Sequence, residues 1–199
     1  MPQSATDCTR VPRIADGRLV RISGLAARPE LNGTFGTTAR YDAARGRHAV
    51  ELQATGKSAM LRAECLAEVL LTDAIVLAAF EGDEAAVVAW LDGGGHVDAR
   101  EAELQLTMLM IACFHSRERL LELLLTRGAS LDLQNRSGST ALMLAAVKGH
   151  LAVVRRLLRA GARADLCAES GATALQIAEA NCHAAVAQLL REHAATPPS

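Results

Sequence analysis

The chain has 199 residues, of which 50% are apolar and only 3% are aromatic, and its formal net charge is −1. This length corresponds to one or two domains, and the apolar content is sufficient for a sizeable core. The longest apolar run, residues 69–80, is interrupted by Thr72 and Asp73 and is shorter than the ~20 residues of a transmembrane helix. These features argue against a membrane protein.

Residues 1–16 contain Pro, Ser, Thr and Asp without a periodic pattern, and we predict that they are disordered. Charged residues stand there in place of the apolar core of a secretion signal: Asp7, Arg10, Arg13 and Asp16. We therefore expect a cytoplasmic or nuclear protein with no membrane partner.

Short runs of strand-forming residues come next, separated by clusters of turn residues. The runs lie at 18–22, 34–41, 47–52 and 58–62. A segment of about 50 residues of this kind has to close into a small barrel, because an isolated hairpin is only marginally stable. We predict a β domain over residues 17–70.

The segment has a pattern of apolar and glycine residues that is known from one class of small barrel. The spacing of Val20, Ile22 and Gly24, the turn sequence at 29–36 and the closing sequence at 62–66 resemble the SH3-like barrels of multidomain eukaryotic proteins. The closing residues 62–66 resemble the final short helical turn of that class.

The charges divide unevenly along the chain. Residues 10–62 contain 10 Arg or Lys and 4 Asp or Glu, a net charge of +6, whereas residues 63–199 contain 11 and 17, a net charge of −6. The basic segment could bind nucleic acid or a histone tail, or it could dock on the acidic part of the chain. Ligand recognition by aromatic stacking would depend on Phe35 and Tyr41, one of which we expect in the core.

From about residue 102 the sequence repeats every 33 residues, and a divergent first unit at about 72–100 comes before, with one residue inserted near 101–106. The motif Gly138-x-Thr140 recurs as Gly171-x-Thr173, and Gly161 corresponds to Gly128. In each unit a Thr can cap a first helix and a Gly can end it, and a second apolar stripe predicts a second helix. Such units bury their apolar faces by stacking on one another.

The unit at 135–167 resembles the ankyrin repeat at many fixed positions: Gly138, Thr140, Leu142, Leu144, Ala145, Ala146, Gly149, His150, Val153, Val154, Leu157, Leu158, Gly161 and Ala162. The resemblance implies a mainly α fold, an ankyrin-repeat α-solenoid of helix-turn-helix units behind a small N-terminal SH3-like β-barrel. We predict an ankyrin domain over 71–196, with repeats at about 72–100, 102–134, 135–167 and 168–195. Polar Glu179 and Arg191 suit the last unit to a capping role.

The sequence departs from the ankyrin pattern in three ways. Thr-Pro-Leu-His is replaced throughout, as in Thr140-Ala-Leu-Met, which should lower stability modestly. Gln105 stands where other units have Gly138 and Gly171, so the geometry of that turn is in question. Arg156 occupies a usually apolar position, and we expect its stem to pack while its head reaches water.

Motifs for catalysis or metal binding are lacking in the sequence. Gly93-Gly94-Gly95 has no following Lys-Ser/Thr to bind phosphate, and Glu101 and Glu103 are interpreted as residues of a solvated turn. The five cysteines include no C-x-x-C pair, and His150 and His183 recur at a structural position of the repeat. We expect no enzymatic activity, no cofactor and no metal.

The resemblance implies a protein-protein interaction module or adaptor, a scaffold that binds a partner protein through its concave surface, and we expect a monomer. The turn tips would contribute Glu103, Leu106, Arg136, Ser137, Ser139, Glu169, Ser170 and Ala172. The first helices would contribute Phe80, Glu81, Phe114, His115, Val147, Lys148, Ala180 and Asn181. Phe80 and Phe114 are either contact anchors or gap fillers. Nucleic-acid or chromatin binding through the barrel, and inhibition of an enzyme partner, are the alternatives.

Overall fold

The computed structural model describes residues 14–195 and divides the chain into two compact units between Val69 and Leu70. The first unit is a β-sheet, and the second consists of helix pairs. The predicted mainly α fold with a small N-terminal β region is therefore confirmed.

The first unit contains one five-stranded antiparallel sheet with the strand order β4-β3-β2-β1-β5. The strands are β1 (Leu19–Ile22), β2 (Phe35–Asp42), β3 (Arg47–Leu52), β4 (Ser58–Arg62) and β5 (Leu66–Glu68). Short 3₁₀ turns lie at Pro29–Leu31 and Ala63–Cys65, and the second is the helical turn that the sequence predicted. The four predicted strands are confirmed.

Strand β5 was not predicted, because its three residues are too few to show an alternation of apolar and polar side chains. Its place is set by pairing with β1, where Leu66 lies opposite Ile22. The core of the unit is formed by alternating apolar side chains of the strands: Val20, Ile22, Val50, Leu52, Ala59 and Leu61. The period of two thus decides which face of each strand is buried.

The sheet unit begins before the boundary that the sequence suggested. Ile14 is buried in the core of the unit, and the Thr38 hydroxyl donates a hydrogen bond to the Ala15 carbonyl oxygen at 2.6 Å. The prediction of disorder is therefore wrong for residues 14–16, where a single apolar side chain among polar neighbours gives no periodic signal. Residues 1–13 lie outside the described residues.

The second unit contains eight helices in four pairs within the described residues. The pairs are α1 (Asp73–Glu81) with α2 (Glu84–Asp92), α3 (Met108–Phe114) with α4 (Glu118–Thr126), α5 (Ala141–Lys148) with α6 (Leu151–Arg159), and α7 (Ala174–Ala180) with α8 (Ala184–Ala195). In the third pair Ala145, Val153 and Leu157 are fully buried, so the predicted apolar faces are those that stack.

A threonine caps three of the first helices, as predicted for Thr140. Its hydroxyl accepts a hydrogen bond from the amide of the third helical residue, whose side chain in turn accepts one from the threonine amide. The pairs are Thr107 with Met110, Thr140 with Met143, and Thr173 with Gln176. Met and Gln side chains therefore cap the helix at positions where the ankyrin pattern has His.

The turn at Gln105 keeps the geometry of its glycine counterparts. Gln105 has a φ of 60°, close to the 73° of Gly138 and the 79° of Gly171. A left-handed conformation costs a residue with a Cβ roughly 1–2 kcal/mol. Its side-chain Nε2 donates hydrogen bonds to the carbonyl oxygens of Glu101 at 2.9 Å and Ala102 at 3.1 Å, which offsets part of that strain.

Arg156 is half-buried at a position that is usually apolar, and its guanidinium group forms an ion pair in addition to reaching water. The guanidinium binds the carboxylate of Glu122 through Nε and Nη2, the latter at 2.8 Å from Oε2. Glu122 lies on α4 of the preceding pair, so the departure from the apolar pattern becomes a contact between repeats.

Candidate functional site

The predicted interaction residues lie in two rows, one on the turn tips and one at the ends of the first helices. Most of them are exposed, including Glu81, Glu103, Arg136, Ser137, Lys148, Glu169, Ser170, Ala180 and Asn181. The half-buried members are Leu106, Phe114, His115, Ser139, Val147 and Ala172. Both rows are therefore accessible at several positions.

A side-chain acceptor organises each of the two central turn tips. In the third repeat the Asn135 side-chain oxygen accepts hydrogen bonds from the amides of Ser137 at 3.0 Å and Ser139 at 2.8 Å. In the second repeat the Glu101 carboxylate does the same for the amides of Glu103, Leu104 and Leu106. Glu101 is thus a turn-forming residue.

Backbone hydrogen bonds join the tips of successive repeats. The Arg136 amide donates to the Leu104 carbonyl oxygen at 2.9 Å, and the Glu169 amide donates to the Ser137 carbonyl oxygen at 3.0 Å. Leu104 belongs to the row of turn tips and is 55% exposed, but it was not among the contact residues predicted from the sequence. It could have been included because it aligns with Ser137, a predicted contact residue 33 positions later.

The ends of the first helices are tied to the following repeat. A side chain at the start of the second helix in each later pair contacts a backbone carbonyl oxygen at the end of the first helix in the preceding pair, a group without a partner inside its own helix. These contacts join Arg117 Nε to Phe80 O at 2.8 Å, His150 Nε2 to Phe114 O at 3.1 Å and His183 Nε2 to Val147 O at 3.0 Å. The predicted structural role of His150 and His183 is confirmed, and Arg117 shares it.

Three rings and one ammonium group come together at these helix ends. The ring centroid of His115 lies 4.2 Å from that of Phe80 and 5.0 Å from that of Phe114, and Lys148 Nζ lies 4.5 Å from the Phe114 centroid. We call these four residues the aromatic patch. The predicted adjacency of Phe114 and Lys148 is confirmed, and His115 links the two phenylalanines.

Phe80 is the most exposed ring residue of the aromatic patch. It is 47% exposed, whereas Phe114 is half-buried. A ring that filled a gap between alanines would be buried on most sides, so the exposure of Phe80 fits the anchor interpretation better. Large exposed rings are enriched among residues that dominate protein–protein binding.

The aromatic patch has a positive electrostatic environment. Burial lowers the pKa of His115, and the nearby Arg117, Lys148 and His150 lower it further. Within residues 14–195, neither Lys148 nor Arg117 forms an ion pair with a carboxylate. The patch therefore combines apolar surface with positive charge.

The described part of the chain offers few groups for other chemistry. Burial raises the pKa of the Cys113 thiol, which makes it a poor nucleophile. No group of three or more His, Cys, Asp or Glu side chains among these residues could hold a metal ion. None of the helices between residues 14 and 195 is long and apolar enough to cross a membrane.

The sheet unit has a cleft bordered by three arginines, Arg28, Arg47 and Arg62. Arg47 and Arg62 lie directly opposite each other on β3 and β4. Phe35 and Tyr41 are both half-buried, so the prediction that one of them belongs to the core is wrong. The Arg21 guanidinium lies 6.0 Å from the Phe35 centroid, and the ring of Tyr41 lies 4.8 Å from that of His48.

Comparison with known proteins adds a family assignment for the helical unit. No curated protein matched the chain. A family model described as ankyrin repeats, three copies, matches residues 75–166 and, in an overlapping second match, residues 109–198. The matches together span more than half of the chain and contain the helix pairs, the threonine caps and the ties between repeats, so the chain belongs to the ankyrin repeat family.

Proposed function

We propose that this chain is a non-enzymatic interaction module that binds a partner protein through the turn tips and first-helix ends of its ankyrin stack. Ankyrin repeats are protein-interaction modules in general. The observation that carries the proposal is the aromatic patch, where the ring of Phe80 is 47% exposed beside His115. Removing exposed ring surface from water lowers the free energy, so a partner that covers Phe80 would bind favourably.

The stack also supplies a rigid frame for such a surface. The ties from Arg117 and His150 hold the carbonyl groups of Phe80 and Phe114, so the spacing between adjacent repeats is set by hydrogen bonds as well as by packing. A surface that is already ordered loses less conformational entropy when it binds. The same reasoning extends to the turn tips, whose backbones are joined across three repeats.

Capture of partner proteins by the full chain and its variants tests the proposal. Phe80→Ala, Phe114→Ala and Lys148→Glu should each reduce capture, by about 2 kcal/mol or more of binding free energy for an aromatic hot spot. Arg155→Ala and Arg159→Ala, on exposed positions of α6, are the controls and should retain capture. Loss of binding in the arginine variants with full binding by Phe80→Ala would place the interface elsewhere.

A second candidate function is binding of nucleic acid through the sheet unit. Arg47 and Arg62 lie directly opposite each other on β3 and β4, and within the described residues only Arg62 has a carboxylate partner, Glu64 at 3.3 Å, so an anion bound beside Arg47 would reduce the repulsion between the two like charges. Binding of single- or double-stranded nucleic acid by the full chain should weaken steeply with salt and should be lost in Arg47→Glu. Absence of any complex at low salt would exclude this function.

The remaining proposals concern the setting of the module. We propose that the sheet unit is an SH3-like barrel, on the basis of its five antiparallel strands and the 3₁₀ turn at Ala63–Cys65 before the last strand. We also propose a monomeric adaptor of the cytoplasm or nucleus. If the captured partner is an enzyme, we propose that the ankyrin stack inhibits it.

A further inference from the structure

We propose that the aromatic patch binds a partner segment in which an acidic group, carboxylate or phosphate, lies next to an apolar side chain. This inference rests on the proposed function of the stack and names the chemistry of its partner. It is drawn from the positions of cations and apolar side chains around the patch.

Two cations, Lys148 in the aromatic patch and Arg117 beside it, are held in place by the stack but form no ion pair with its carboxylates in the part of the chain that the structure describes. Lys148 Nζ lies 4.5 Å from the Phe114 ring centroid, and Arg117 Nε donates a hydrogen bond to the Phe80 carbonyl oxygen at 2.8 Å. Elsewhere on the stack, carboxylates pair with Arg127, Arg156, Arg163 and Arg191. Lys148 and Arg117 form no such pair within the described residues, which makes them available to an acidic group of a partner.

The apolar part of the site extends beyond Phe80. Leu77 lies three residues earlier on α1 and is 54% exposed. Residues three apart on a helix are neighbours on its surface, so Leu77 and Phe80 form one apolar strip. An apolar side chain of the partner placed on this strip would bring the adjacent residue of its segment near the cations.

Acidic residues in the two rows of predicted contact positions favour a single negative group over a polyanion. Glu81 follows Phe80 and is exposed, and the turn tips carry Glu103 and Glu169 at exposed positions. Nucleic acid running along this surface would meet these carboxylates and be repelled. A peptide with one acidic residue beside an apolar one can reach Lys148 and avoid them.

The charge state of His115 is consistent with this environment. Its pKa is lowered by burial and by Arg117, Lys148 and His150, and on α1 the exposed Glu81 follows Phe80, whose ring contacts His115. Binding of a negative group beside these cations should raise the pKa of His115. This shift can be followed in the bound and free protein by NMR.

Selection of a random peptide library on the immobilised full chain tests the inference. Peptides that bind the wild-type chain but not Phe80→Ala should be enriched in Asp or Glu next to Leu, Ile, Phe or Met. The same selection on Lys148→Glu, with circular dichroism to verify its fold, should lose this acidic preference. Arg155→Glu, which reverses a charge on the exposed side of α6, is the matched control and should retain it.

Synthetic versions of one enriched peptide distinguish the source of the negative charge. Replacing its acidic residue by Gln should weaken binding about tenfold, as expected for loss of a charged contact. Phosphoserine at that position should bind more tightly than the original Asp or Glu if phosphate is the preferred group, and less tightly if carboxylate is preferred. Phe80-dependent peptides without acidic preference would overturn this inference and leave the proposed function intact. If no peptide binds in a Phe80-dependent way, the proposed function fails together with it.

Discussion

The Nε2 atom of His150 lies 3.1 Å from the carbonyl oxygen of Phe114, a residue 36 positions earlier in the chain. This contact joins the start of α6, the second helix of the third pair, to the end of α3, the first helix of the preceding pair. Phe114 also belongs to the aromatic patch, so one hydrogen bond both stabilises the stack and positions part of its proposed binding surface.

His150→Ala should lower the free energy of unfolding by about 1–3 kcal/mol, because it leaves the Phe114 carbonyl oxygen without its partner. His150→Gln should recover part of the loss, since its amide can donate to the same oxygen. Urea denaturation followed by circular dichroism measures both. Equal stability of wild type and His150→Ala would show that the hydrogen bond contributes nothing net.

Gly149→Ala should destabilise the protein more than Gly161→Ala. Both glycines have a positive φ, 71° and 94°, so an alanine at either position carries a left-handed strain of roughly 1–2 kcal/mol. At Gly149 a Cβ would also lie 2.5 Å from His183 Nδ1, whereas no atom lies within 4 Å of a Cβ at Gly161. Thermal melts of the two variants compare them, and equal losses would mean that His183 moves aside freely.

Leu157→Ala should reduce the free energy of unfolding by roughly 2–5 kcal/mol, because Leu157 is fully buried on α6 and its truncation leaves a cavity. Leu104→Ala removes the same atoms from a residue that is 55% exposed and should change stability far less. Denaturant unfolding provides the measurement. A loss below about 0.5 kcal/mol for Leu157→Ala would contradict the packing described above.

Cys113 should resist alkylation in the folded protein. Burial raises the pKa of its thiol, and the thiolate is the reactive form, whereas Cys167 and Cys182 are exposed. A short iodoacetamide pulse followed by peptide mass spectrometry should label the two exposed cysteines in buffer and Cys113 only in urea. Labelling of Cys113 at the rate of Cys167 in buffer would reveal local opening of α3.

Glu122→Gln should weaken the protein slightly at neutral pH and have no effect in acid. Hydrogen bonds from Arg156 lower the pKa of Glu122 below its ordinary value of 4.5, so the stabilisation is present above that value and is lost as the pH falls through the folded-state pKa. Urea unfolding over a series of pH values from 7 downwards measures the difference, with Glu169→Gln at an exposed tip as the control. A difference that does not shrink as the pH falls below 4.5 would point to packing instead of charge.

The helical repeats could be predicted because their signals are local. Thr140 caps a helix through atoms three residues away, and Gly149 ends it through its own backbone freedom, so a period of 33 residues was enough to place the units. Strand β5 escaped prediction because its three residues are defined by pairing with β1, which is distant in sequence.

The site could be predicted only where repeat spacing implied it. Equal offsets placed Phe114 beside Lys148, but the link through the His115 ring and the tie from Arg117 depend on side-chain directions across repeats. Leu104 was missed because its exposure at a turn tip depends on the path of the chain around it.

The sequence by itself determined the succession of the first four strands and the helix pairs, the ends of the first helices and the division of charge, since each of these follows from residues close together in the chain. The tertiary structure decided which equivalent residues are exposed. Leu77 and Ile111 hold the same place in successive repeats, yet Leu77 is 54% exposed and Ile111 only 5%, because burial depends on the neighbouring repeat and Leu77 lies in the first helix pair of the stack.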